Sequence, residues 1–112
     1  MIPQAITSKV QNDMGGRPVD RHRGTTGCAT CGAVILAGAD ITGYAYRPMR
    51  EPAFHLLRLF CNTCARRRIS SPTLGAFEVL FEATVTLRSQ SLVLDGISPI
   101  DYSRPTQNSV NW

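Results

Sequence analysis

The sequence predicts a mainly β domain with a short helix, built round a four-cysteine unit, completed by a C-terminal β-hairpin and flanked by extended arms. Three observations carry that expectation. All four cysteines of the 112-residue chain fall in two CxxC pairs, Cys28 with Cys31 and Cys61 with Cys64. The stretch AFEVLFEATVTLRS alternates apolar and polar residues with the period of a strand. Both ends are polar and carry Gly or Pro, without an apolar repeat to anchor them.

Taken in order, residues 1–26 read as a basic extended arm, punctuated by Pro3, Gly15, Gly16, Pro18 and Gly24. CATCG is a tight turn, and Gly32 after its second thiol removes the Cβ constraint where the chain must reverse. AVIL and ITGYAYRPM read as short strands separated by the turn AGAD. After the turn REP, AFHLLRLF is an apolar strand leading into the second cysteine pair. ARRRIS, residues 65–70, has room for one or two helical turns before Pro72 discourages continuation.

Further on, Phe77, Val79, Phe81, Ala83, Val85 and Leu87 form one side of a strand, and Glu78, Leu80, Glu82, Thr84, Thr86 and Arg88 the other. LGAFEVLFEA contains good helix formers, but the β-branched run TVT beyond it favours the strand. SQ then joins it to SLVLDGI, giving a hairpin over 77–97 that buries one face against the cysteine unit. The expected organisation is an arm over 1–26, a domain over 27–103 with its metal unit at 27–70, and a polar tail over 104–112.

Cys28, Cys31, Cys61 and Cys64 are spaced as ligands of a tetrahedral structural zinc, since two intervening residues let one turn present both sulfurs to one ion. Two disulfides would suit a secreted chain, and the N-terminus lacks the apolar core of a signal peptide. A thioredoxin-like pair has no use for a second matched pair. Iron on four cysteines stays open at this point. Four thiolates close the coordination sphere to water, so Zn2+ here would hold the fold rather than catalyse. Loss of one thiolate is expected to unfold residues 28–69. His55 reads as a partly buried strand histidine and His22 as solvated, each a substitute ligand at most. No Ser/His/Asp set, paired acids or phosphate-cradling loop stands out, so neither an enzyme nor a small-molecule substrate is expected.

The net charge of +4 is uneven. Residues 1–68 hold ten basic and four acidic side chains, and residues 69–112 two and four. Eleven of the twelve basic residues are Arg, whose planar fork suits phosphate or carboxylate. Arg66, Arg67 and Arg68 follow the second knuckle directly; with Arg17, Arg21, Arg23, Arg47, Arg50 and Arg58 they form either a phosphate-binding stripe or a solvated basic face. Tyr44 and Tyr46 share a strand face. They either complete a core or stack on bases. The apolar runs are too short to span a membrane, and a cytoplasmic location, or one inside an intracellularly assembled particle, is expected.

The knuckle CATCG, the strand-rich insert and the pair in CNTCARRRI together resemble the zinc-ribbon and treble-clef groups. CATCGAVI, YAYRP, LFCNTCARRRI, SPTLGAFEVL and DYSRP, in this order, also resemble small zinc-finger proteins of halophilic archaea, over residues 27–105. The resemblance implies a zinc-ribbon or treble-clef-like fold with the four cysteines as ligands, but no activity. The basic charge departs from the acidic habit of halophile proteins, as an anionic polymer partner would permit.

The expected function is a non-enzymatic, zinc-stabilised component of a larger assembly, ribosome-associated or part of a virus particle, whose arm and arginines contact nucleic acid, RNA in the first instance. The alternative is a protein–protein adaptor recruiting its partner by strand addition to the C-terminal hairpin.

Overall fold

A computed structural model of the chain describes residues 2–20, 26–70 and 75–105. The helix α1 spans Gln4–Met14, and the strands are β1 Thr26–Gly27, β2 Val34–Ile35, β3 Asp40–Pro48, β4 His55–Cys61, β5 Ala76–Arg88 and β6 Ser91–Ser103. β1 and β2 form a small antiparallel pair. The others form one antiparallel sheet in the order β4-β3-β5-β6.

The mainly β expectation holds, and the alternating stretch is a strand. Its hairpin is longer than 77–97, because β6 continues through Ser103. Ser89 and Gln90 turn it with φ of 52° and 69°. Two successive left-handed residues make the tight turn whose twist matches that of the flanking strands. In β3, Gly43 lies opposite Phe81, and a Cβ there would fall 2.3 Å from the Phe81 ring. The ring occupies the space a side chain would take.

The one helix among the described residues is not where it was expected. Residues 65–70 are irregular, because their polar groups are used across the sheet: the Ile69 N–H donates to Asp101 Oδ2 at 2.7 Å. Arg67 meets Glu82 at 3.5 Å, and the Arg66 guanidinium lies 5.3 Å over the Phe60 ring. This strap crosses the face of β5 expected to be polar at the level of Leu80 and Glu82; Leu80, and Glu78 beyond the crossing, are buried. A central strand is covered on both sides, and the simple alternation breaks accordingly.

The helix instead forms within the N-terminal segment read as an arm. Ile6, Val10 and Met14 recur every four residues and make one apolar stripe. Val10 and Met14 are buried in the same core as Phe54, Phe81, Val85 and Leu94. The Ile6 and Thr7 amides donate to the Pro3 carbonyl at 3.0 and 3.1 Å, starting the helix. Gln11 donates to the Ile97 carbonyl at 3.0 Å, and Asp13 accepts the Phe54 N–H at 2.9 Å. Beyond the helix, the Gly16 and Val19 amides donate to the Leu94 and Leu92 carbonyls. They cover half of an edge strand that would otherwise be free. Residues 4–19 thus belong to the folded unit.

No helix among the described residues is long and apolar enough to cross a membrane.

Candidate metal centre

The first cysteine pair lies in the turn joining β1 to β2, where Thr26 pairs with Ile35 and Gly27 with Val34. The Cys28 N–H donates to the Ala33 carbonyl at 2.9 Å and the Gly32 N–H to the Cys28 carbonyl at 3.0 Å. Gly32 has φ of 74°, the left-handed conformation its position required. The second pair begins at the last residue of β4, and the Cys64 N–H donates to the Cys61 carbonyl at 3.0 Å. One long-range bond, from the Ala29 N–H to the Leu59 carbonyl at 2.8 Å, ties the first knuckle to the strand carrying the second.

This folding brings the four Sγ atoms within 4.8 Å of one another, with Cys31 and Cys61 3.8 Å apart. Zinc bound to four thiolates at about 2.3 Å spans a tetrahedron with edges of about 3.8 Å. The donor set fits such an ion. Cys28 is buried, Cys61 and Cys64 are half-buried, and Cys31 is exposed. Among the described residues, the four cysteines alone make the cluster. His55 is not part of it: it is exposed, against the expected partial burial, and its Nε2 meets Glu51 at 2.5 Å. His22 lies outside the described residues.

The thiols are poised differently. Burial pushes the Cys28 pKa up, but backbone N–H groups of Cys31, Cys61 and Thr30 directed at its sulfur outweigh it and bring it down to about 6. Hydrogen bonds with the Cys61 and Cys31 thiols, then burial, push Cys64 up to about 12. One sulfur is thus ready as a thiolate, and another gives up its proton only to a strong competitor such as a divalent ion. An ion held by all four sulfurs would have no position left for a reacting water.

The arginines separate into groups. Arg66, Arg67 and Arg68 are exposed just beyond the second knuckle. Arg58, opposite Tyr44 in the sheet, lies on the same face as Phe60, over which Arg66 packs. Arg17 and Arg58 line one groove along the outer edge of β4, and Arg50 is exposed in the turn after β3. Arg47 is withdrawn from any such surface. Its guanidinium stacks 4.4 Å from the Phe77 ring and 5.8 Å from that of Phe54, and Nη1 donates to the Glu51 carbonyl. Arg21 and Arg23 lie outside the described residues. The expectation had no place for the strap or its latch, Asp101; an acid two strands away from an amide leaves no local pattern to find.

A family profile described as "Domain of unknown function (DUF8112)" matches residues 5–105. It takes in α1, which the resemblance over 27–105 had left out. No curated protein and no solved structure matches the chain.

Proposed function

We propose, for a chain that belongs to the DUF8112 family, that it is a non-enzymatic binding component, held together by Zn2+ on Cys28, Cys31, Cys61 and Cys64, which docks on nucleic acid within a larger assembly. The observation that carries this reading is the closed four-sulfur cluster immediately followed by exposed arginines. A metal knuckle restricts the backbone beneath Arg66–Arg68, so three cations are presented from a fixed base. Among the described residues, Arg17, Arg50, Arg58 and Arg68 make no ion pair, and the segments outside them contain no acidic side chain. Cations without a carboxylate partner are available to phosphates, whose counterions they release. The assembly is read as intracellular, a ribosome or a virus particle, and the likeness to halophile zinc-finger proteins belongs to the same reading.

Gradient sedimentation of a source lysate, with and without nuclease, tests it. Co-migration with a large particle and release by nuclease are expected. Sedimentation as a free chain of about 12.3 kDa would overturn it. For the adaptor alternative, β5 is paired on both sides, and among the described residues the part of the hairpin left for an added strand is the outer edge of β6 beyond Ile97, whose carbonyl Gln11 already occupies.

A further inference from the structure

The face of β3 and β4 turned away from the helix carries aromatic rings next to the unpaired arginines. Tyr46 and His55 are register partners with ring centroids 5.9 Å apart and planes at 49°. Tyr46 is half-buried, and the His55 side chain is 46% exposed. One pair further along the same face stand Tyr44 and Arg58, then Thr42 and Phe60, with Arg66 over Phe60. Cations and rings therefore follow one another along roughly 16 Å of strand.

We infer that this face is a stacking platform for single-stranded nucleic acid, with Tyr46 and His55 taking bases and Arg58, Arg66 and Arg68 taking phosphates. The inference rests on the reading above and names the ligand and its contacts. Among the described residues, the strap makes its contacts at Phe60, Glu82 and Asp101, toward the other end of the strands, and leaves the His55 side chain exposed and Tyr46 half-buried. The acids on the face are engaged within the protein: Glu51 with His55, Glu82 with Arg67, Asp95 with Arg88, Asp40 with the Thr84 hydroxyl, Asp101 with the Ile69 amide, and Glu78, fully buried, with the Tyr44 hydroxyl. Arg58, opposite Tyr44, and Arg68 are exposed and make no ion pair among the described residues. A ring fixed on a strand loses little freedom when a base lies on it, and every base has a face to offer. A duplex, whose bases are already stacked, cannot use it.

The test uses the zinc-loaded full chain and single-stranded oligo-uridine of about 12 nucleotides, RNA and DNA in parallel, with a double-stranded RNA as comparison. Each is titrated over a range of salt. Tyr46→Ala should weaken single-strand binding roughly 10-fold with an unchanged salt slope. His55→Ala, at an exposed position that cannot upset the core, should weaken it in the same sense. Tyr46→Phe should bind as the parent does. With 5-bromouridine in the strand, ultraviolet cross-links should map to Tyr46, Tyr44 or His55, a result that a merely structural tyrosine would not produce. Binding lost on Arg66→Glu and Arg68→Glu, but indifferent to both ring variants and cross-linked elsewhere, would overturn the platform and leave the nucleic-acid reading standing. A preference for the duplex would overturn it as well. Failure to bind any of the three at low salt would overturn both.

Discussion

Removal of the metal should melt one part of this protein and spare the rest. The knuckle and its flanking pair, residues 26–36, are held by a two-residue ladder, two turn bonds, one bond to β4 and the burial of Ile35 and Cys28. Ordering some ten residues costs about 10–20 kcal/mol. Burying Ile35 contributes about 2 kcal/mol, and each of the handful of hydrogen bonds about 1 kcal/mol. The segment is therefore several kcal/mol short of folding without an ion. Zinc on the four thiolates would contribute about 10–16 kcal/mol, enough to close the gap. The sheet β3–β6 has an independent core with α1, through Val10, Met14, Val79, Phe81, Val85, Leu92 and Leu94. Loss of a thiolate should thus unfold less than the whole stretch 28–69 expected from ligand spacing. Hydrogen exchange read by mass spectrometry, with chelator or with Cys61→Ser, checks this. The amides of Cys28, Ala29 and Gly32 should lose protection, while those between β3 and β5 keep theirs. Protection retained everywhere would refute the metal's structural role, and protection lost everywhere would refute the independence of the sheet.

Gly43→Ala should cost about 1–3 kcal/mol in urea denaturation, because a Cβ meets the Phe81 ring at 2.3 Å; Phe81→Leu in the same chain should recover part of it. Arg47→Ala should lower stability by about 1 kcal/mol through loss of its stacking on Phe77 and Phe54, yet leave nucleic-acid binding intact. Arg68→Gln should do the reverse, reducing the salt slope of single-strand binding by about 0.7 with a normal melting curve. Metal affinity should fall as pH drops. Binding needs thiolates, Cys64 at about 12 must be stripped of its proton, and Cys28 takes one up below about 6. Competition with a chromophoric chelator from about pH 8 to about pH 5 should show a monotonic loss of affinity, and a flat profile would mean that the thiols are not the ligands.

Chemistry that depends on residue type and short spacing was legible before any fold was known. Two CxxC pairs name a tetrahedral sulfur set, because a single turn can aim both of its thiols at one point. The left-handed Gly32 follows from the same turn. Strand signals are equally local: β5 lies where alternation and the TVT run put it, and β3 and β4 lie where short apolar runs between turns put them. The stripe of Ile6, Val10 and Met14 was also present in the sequence, but Thr7, Ser8, Asn12 and Asp13 obscure it until a sheet exists for it to cover. What could not be read was every decision made by partners distant in the chain. Glu78 is buried although it stands on the polar side of an alternating strand, because β5 lies between two neighbours and the Tyr44 hydroxyl of one of them closes on its carboxylate. ARRRIS has the composition of a helical turn, and the Ile69 amide is instead claimed by Asp101, 32 residues later. Arg47 and Arg58 are alike in sequence. Only the sheet decides that one stacks between Phe77 and Phe54 while the other faces solvent beside Tyr44. The sequence by itself determined the candidate ligands and most of the strands, since these depend on neighbours a few residues away; tertiary structure alone decided which faces were covered and which charges stayed free, since these depend on long-range pairing.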